Sequence, residues 1–144
     1  MSKKARSEGN RVAMAIKANK ANYYIADVDL EDDGEDVVAA AQSVRKTLGK
    51  LQSGFMLISA GVKNLIVVVD LLDSTNLNAQ DWISDSLENI TSYTKTDNPL
   101  FSKIVLEMDT PFKLKDIVRS NAFSTLRSRS LLEEESEEEN YEFE

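Results

Sequence analysis

Two apolar runs in the middle of the chain, over residues 54–60 and 65–72, predict a β-hairpin. The runs read GFMLISA and LIVVVDLL, and the GVKN between them contains Gly61 and Asn64, which are residue types common in tight turns. Positions 65–69 include no polar residue, so the alternation of a half-buried strand is lost there. We therefore predict that this run is the central strand of a small sheet, with both of its faces covered or crowded.

Periodicity predicts the remaining elements. Apolar residues at helical spacing predict helices over 11–21, 35–48 and 78–91 and a last helix from Pro111, with Thr110 as its cap; strands are predicted over 23–30 and 103–109, and a loop over 92–102. The fold class that follows is α+β. We expect a split βαβ-type antiparallel sheet of about four strands with helices on one face, a C-terminal helix and a disordered tail.

Charge divides the chain into three parts. The formal net charge is -8, but residues 131–144 hold eight glutamates and no basic residue, whereas the first twenty residues carry Glu8 as their one acid. A block of like charge repels itself and does not bury a core. We predict a flexible basic head over 1–10, a single α+β domain over 11–130 and a disordered acidic tail over 131–144. The initial methionine and the acidic end suggest a complete chain.

The composition argues against catalysis. The sequence has no histidine and no cysteine, which removes the usual general base, the Ser-His and Cys-His couples and thiolate metal sites. No phosphate-binding glycine loop or hydrolase motif is present. We therefore expect a noncatalytic protein without cofactor, metal or small-molecule substrate. The absence of cysteine favours a cytoplasmic location, and no apolar run approaches the roughly 20 residues that span a bilayer.

The sequence also argues against a calcium-binding loop and against an RNA recognition module. The seven acidic residues within 27–36 lack the spacing of a calcium loop, and a solvated helix N-terminus explains them more simply. An RNA recognition module has the same element order, but it needs aromatic residues on its central strands, and LIVVVDLL has none. The single tryptophan, Trp82, is interpreted as a structural anchor of the core.

An ordered series of features over residues 11–129 resembles the C-terminal domain of cytosolic alanyl-tRNA synthetases, a DHH-associated domain. After the hairpin comes a helix with the pattern L-x-A-x-x-W-I, and a later helix reads A-F-x-x-L-R. The matching residues are Leu77, Ala79, Trp82 and Ile83 in the first pattern and Ala122, Phe123, Leu126 and Arg127 in the second.

The resemblance implies an accessory role in translation. The family's domain does not activate the amino acid; it contacts the outer corner of tRNA, helps to join the aminoacylation and editing modules, and in several members mediates self-association. The chain departs from the family at one loop. The family has a glycine-rich G-G-K-G-G-G-R/K segment after the tryptophan helix, whereas residues 86–103 contain no glycine, so close backbone approach to phosphate is lost there.

Two functions remain open. The first is the binding of tRNA or ribosomal RNA by basic residues: Lys3, Lys4, Arg6, Arg11, Lys17, Lys20, Lys95, Lys103, Lys113, Lys115, Arg119, Arg127 and Arg129. The second is a protein-interaction module that has lost RNA binding, forms a homodimer or docks on a larger assembly such as the ribosome or a synthetase complex. The acidic tail would then reach a basic partner or screen the basic patches.

Overall fold

The computed structural model describes residues 2–87, 90 and 98–132. Within them lie four helices and four strands. Their bounds are Lys3–Asn19 (α1), Tyr23–Asp27 (β1), Gly34–Leu48 (α2), Gly54–Ala60 (β2), Asn64–Asp70 (β3), Ala79–Ser86 (α3), Phe101–Glu107 (β4) and Pro111–Ser128 (α4). The predicted order of elements is confirmed, as is the predicted α+β class with four strands.

The strands form one mixed sheet in the order β1-β2-β3-β4. β1 pairs with β2 in parallel, while β2 with β3 and β3 with β4 pair antiparallel. The prediction of a split βαβ-type antiparallel sheet is wrong at β1 and β2. These two strands are neighbours, pair in parallel, and have no strand between them. A parallel pair needs a long crossover connection, and the segment that contains α2 supplies it.

Helices cover both faces of the sheet, and the prediction of helices on one face is wrong. Ile66 and Val68 of β3 belong to the core that packs against α1 and α2. Leu65, Val67 and Val69 belong to the core that packs against α3 and α4. Because β3 is apolar on both sides, each side is removed from water only when a helical layer covers it.

The basic head forms the start of α1, so the prediction of a flexible segment over 1–10 is wrong for residues 3–10. Ser2 caps the helix: its Oγ accepts a hydrogen bond from the Ala5 N–H at 3.0 Å and donates one to Asp36 at 3.1 Å. Gly9 lies where α1 approaches α2, and a Cβ built on it would come within 2.6 Å of the Ser43 Cβ. The missing side chain thus permits close contact between the two helices.

Several element ends differ from the predicted ones. β1 ends at Asp27 instead of residue 30, α3 ends at Ser86 instead of residue 91, and β4 covers 101–107 instead of 103–109. Thr110 is the N-cap residue of α4, but its side chain makes no capping hydrogen bond. Residues 92–97 of the predicted loop and 133–144 of the predicted disordered tail lie outside the described residues.

The acidic stretch between β1 and α2 binds backbone groups. The Asp33 carboxylate accepts hydrogen bonds at 3.0 and 3.1 Å from the N–H groups two and three positions later, and so caps α2. Asp32 Oδ1 accepts the N–H groups of Lys63 at 3.1 Å and Asn64 at 2.8 Å, which ties this stretch to the β2–β3 turn. Within the described residues, no three acidic side chains are grouped as metal ligands.

Arg45 fixes α2 to the end of β3. Its Nη2 and Nε donate to Asp70 Oδ1 at 2.7 and 3.1 Å, and its guanidinium lies 5.1 Å from the centre of the Phe55 ring. Burial raises the pKa of the Asp70 carboxyl above its ordinary value, and the hydrogen bonds from Arg45 partly oppose that rise. The pair therefore positions a helix on the sheet and is largely withdrawn from solvent.

Gly9→Ala should destabilise the protein, although alanine favours helix more than glycine does. The added methyl group would meet Ser43 and the Ala40 carbonyl oxygen, and overpacking of this kind costs about 1–3 kcal/mol, against a gain in helix propensity of about 1 kcal/mol. Thermal unfolding followed by circular dichroism measures the effect. Ser7→Ala, on the exposed side of α1, is the matched control and should be neutral or stabilising. Equal stability of Gly9→Ala and wild type would contradict the close packing of α1 on α2.

Candidate nucleic-acid interface

The two groups of basic residues predicted to bind RNA lie on opposite faces of the sheet but meet at one of its edges. α1 packs in the layer of α2, and α4 packs in the layer of α3. Both helices flank the edge strand β1, where Arg11 of α1 and Lys115 and Arg119 of α4 all reach Asp27. Together with Lys4, which lies farther along the same side of α1, these three cations are here named the β1-edge cluster.

The side chains of α1 occupy the outer edge of β1. The Val28 N–H donates to β2, so the backbone groups of Asp27 and Asp29 point away from the sheet. Arg11 Nη2 donates to the Asp27 carbonyl oxygen at 2.7 Å, and Glu8 Oε1 accepts the Asp29 N–H at 2.8 Å. Arg11 and Glu8 also bond to each other at 3.1 Å, and this bond is the main cause that lowers the pKa of Glu8. These two backbone groups, at the end of the edge, are thus satisfied from within the chain.

One carboxylate lies between the cations of the cluster. Asp27 Oδ2 is 3.6 Å from Lys115 Nζ and 3.7 Å from Arg119 Nη1. Asp27 Oδ1 is buried and has no hydrogen-bond partner in the described part of the chain. Lys4 pairs in the same way with Asp29, at 3.4 Å. Each cation of the cluster therefore already has an anionic or carbonyl partner, and a bound phosphate would exchange for one of these partners.

Aromatic side chains lie beside the two α4 cations. Lys115 Nζ is 5.3 Å from the centre of the Phe112 ring, and the Arg119 guanidinium is 5.9 Å from that of Phe123. Phe112 is 62% exposed in the first turn of α4. An exposed ring next to cations is a surface on which an unpaired base can stack while its phosphate contacts the cation.

Lys17 and Lys20 line a second site at the opposite end of α1. They border a cleft of about 860 Å³ at the end of the sheet where β1 begins. Tyr23 lines the same cleft, and burial together with the nearby Asp73 carboxylate raises its pKa. Leu132 also lines it, so the described chain ends beside these two lysines. The cleft is separate from the β1-edge cluster.

The other predicted binding residues are spread over the surface. Arg129 pairs with Asp85 at 3.7 Å, and Lys103 lies in β4 beside Gly34, at the start of α2. Lys95 lies outside the described residues. Exposed cations of α1 and α4 for which the described residues provide no ion pair are Lys3, Arg6, Lys17, Lys113 and Arg127.

Trp82 lies in the core between α3 and α4. Its side chain is fully buried, and its indole N–H donates to the Ala122 carbonyl oxygen at 3.2 Å. The Tyr23 ring meets it edge-on, with centroids 6.1 Å apart. Trp82 therefore anchors α3 to α4 and β1 and presents no surface for stacking.

Sequence reasoning missed the acidic partners of the cluster. The pairing of Glu8 with Arg11 has a sequence signal, because residues three apart on a helix are neighbours. Asp27 has none, because its contact with Lys115 and Arg119 exists only after β1 and α4 have come together in the fold.

Comparison of the chain with protein-family models gave no match, and comparison with curated proteins gave none either. The resemblance to the synthetase domain thus rests on the series of sequence features alone. Within the described residues, no helix is both long and apolar enough to cross a membrane.

Glu8→Gln should destabilise the protein at neutral pH by about 1 kcal/mol, because it removes a carboxylate that binds both Arg11 and the Asp29 N–H. The folded-state pKa of Glu8 lies below its ordinary value of 4.5. Its stabilisation is therefore complete above pH 4.5 and disappears as the pH falls through the lowered value. Urea unfolding of wild type and variant between neutral and acid pH measures this difference.

Glu31→Gln is the control for this series, because Glu31 is exposed and its side chain has no ion pair within the described residues. That variant should follow wild type at every pH. A Glu8→Gln deficit that stays constant into acid would show that Glu8 acts through packing and not through charge.

Proposed function

We propose that this chain is a noncatalytic module that binds structured RNA such as tRNA through the β1-edge cluster. The observation that supports this most is the meeting of α1 and α4 at Asp27, which brings cations from both ends of the sequence to one edge. The resemblance to the synthetase domain favours tRNA as the RNA and the cytoplasm as the location. A sequence without histidine or cysteine favours a binding role over a catalytic one.

The ion pairs of the cluster are weak enough to exchange with phosphate. The Arg119 and Asp27 side chains are 47% and 36% exposed. Pairs of such exposure contribute about 0–1 kcal/mol, so replacing Asp27 by a phosphate group as the partner of Arg119 costs the fold little. The same weakness means that RNA binding should be sensitive to salt.

A second candidate function is a protein-interaction module that forms a homodimer or docks on a larger assembly. It is favoured by a different observation, the outer edge of β4, which pairs with no strand among the described residues and lies at the opposite side of the sheet from β1. The two functions are thus centred on opposite edge strands of the sheet.

The double variant Lys115→Gln/Arg119→Gln should bind a tRNA transcript about tenfold more weakly at low salt. Loss of two phosphate contacts should also reduce the slope of log affinity against log salt by about 2. Fluorescence anisotropy over a salt series measures both quantities. Lys46→Gln/Lys50→Gln makes the same change of charge on exposed residues at the end of α2 and should change affinity less than about twofold. Equal effects of the two double variants would mean that only net charge matters and that the cluster is not a site.

Asp27→Asn tests the same site with a variant that should bind RNA more tightly. It removes the carboxylate that competes with phosphate for Lys115 and Arg119, so RNA affinity should rise a few-fold at low salt. A fall in affinity, with unfolding unchanged, would contradict binding at this edge.

Truncation after Leu132 should strengthen tRNA binding at low salt and have little effect at high salt. It removes eight glutamates from a chain whose described part ends at the cleft that Lys17 and Lys20 line, and acidic side chains compete with phosphate for such cations. A mobility-shift assay with full-length and truncated protein measures the change. If neither protein shifts tRNA, the proposed RNA-binding function is wrong.

A further inference from the structure

The outer edge of β4 carries a row of backbone groups that are directed away from the sheet. The Met108 N–H donates to Lys63, and the Leu71 N–H donates to the Leu100 carbonyl, so even-numbered positions of this segment bond to β3. In an antiparallel ladder the alternate positions point outward. The free N–H and C=O groups are therefore those of residues 101, 103, 105 and 107, and within the described residues no partner meets them.

The two edges of the sheet differ in whether side chains bond to their outward backbone groups. At the β1 edge, Arg11 bonds to the Asp27 carbonyl oxygen and Glu8 to the Asp29 N–H, so the last outward groups of this edge are covered by α1. At the β4 edge the Lys103 and Val105 side chains lie beside Gly34 at the start of α2, but no side chain of the described residues bonds to the outward backbone groups, and Val105 is 46% exposed. A strand edge of this kind is a template for pairing with another strand.

The side chains on β4 determine which strand can pair with this edge. Lys103, Val105 and Glu107 lie on the same face, because alternate residues of a strand share a face. When two such strands pair antiparallel about a two-fold axis at Val105, Lys103 of each lies opposite Glu107 of the other, and Val105 lies opposite its own copy. These three contacts are two opposite-charge pairs and one apolar pair, which are the favourable cross-strand combinations.

Other registers lack this complementarity. An axis at Lys103 would place two lysines opposite each other, and an axis at Glu107 would place two glutamates opposite each other, and both arrangements are repulsive. An axis at Ile104 would pair Lys103 with Val105 and leave both charges without partners. The outward-pointing parity permits all four registers, because odd-numbered residues meet odd-numbered residues in each, so the choice among them rests on the side chains.

We propose that the β4 edge binds a second copy of this chain, antiparallel and centred on Val105, to form a continuous eight-stranded sheet. The surface is isologous, since the same residues serve on both copies. The strand has seven residues, so the contact is small and the dimer should be weak and dependent on protein concentration. This inference gives the second candidate function its surface, and it does not depend on RNA binding.

A charge exchange tests the register directly. Lys103→Glu places four carboxylates at the two pairs, and Glu107→Lys places four ammonium groups there, so each single variant should weaken the dimer about tenfold or more. The double variant Lys103→Glu/Glu107→Lys restores opposite charges across the axis and should return the dimerisation constant to within about twofold of wild type. Sedimentation equilibrium over about 1 to 300 μM protein measures all four proteins.

Val105→Pro tests the backbone contribution. The Val105 N–H points outward, so proline removes no hydrogen bond to β3, but it blocks the central pair of the proposed interface. This variant should be monomeric at every concentration, with its far-ultraviolet circular dichroism unchanged. If the proline disturbs β4, the charge variants of Lys103 and Glu107 still test the proposed interface.

Three results would overturn the inference. The first is a wild-type chain that stays monomeric at the highest concentration. The second is a dimer that none of the β4 variants weakens, which would place the interface elsewhere. The third is a double variant as weak as the single ones, which would exclude the Val105 register. Anisotropy with tRNA on wild type and Val105→Pro keeps the outcome separate from RNA binding, because this substitution changes no charge.

Discussion

The burial of both faces of β3 is the constraint on which the rest of the structure depends. Residues 65–69 are without solvent exposure, and every one of them is apolar. A strand of this kind cannot lie at the surface, so a layer of two helices must cover each side of the sheet. Once both faces are occupied, the surfaces left for recognition are the two edge strands and the outer sides of the helices. The candidate sites accordingly lie at edges.

At the β1 edge, one contact stabilises the strand while other contacts leave cations available to bind an anion. Arg11 satisfies a backbone carbonyl there, whereas Lys115 and Arg119 share one carboxylate at 3.6 and 3.7 Å. The first contact covers the last outward carbonyl of the strand and so hinders pairing with another strand there. The second is long and partly exposed, so its partners are exchangeable. Asp27 is therefore the residue that sets how strongly this surface attracts an anion.

Local patterns in the sequence were enough to predict elements but not their neighbours. The hairpin and the two covered faces of its second strand follow from an apolar run around a turn, and the α2 stripe follows from helical spacing. The parallel pairing of β1 with β2 is non-local, and no pattern within either strand specifies it. The sequence did not predict a helix over residues 3–10, because Gly9 disfavours helix. The missing side chain of Gly9 is useful only where another helix approaches closely, as α2 does.

The candidate site was predictable to a smaller extent. The basic residues of both helices were identified from charge alone, and Lys115 and Arg119 were among them. Which of these cations are neutralised depends on Glu8 and Asp27, and the second of these lies in a strand far away in the sequence. The fold makes that contact, so composition cannot reveal it.

Asp32 has a consequence for how the chain acquires its structure. Its carboxylate occupies the space beside Gly61 where a side chain would lie, and it accepts the N–H groups that open β3. The β2–β3 turn is thus completed by a residue about thirty positions earlier in the chain. During synthesis on the ribosome this acceptor is made before the turn that needs it. Because Asp32 belongs to the connection that follows β1, its hydrogen bonds couple the hairpin to the strand that pairs in parallel with β2.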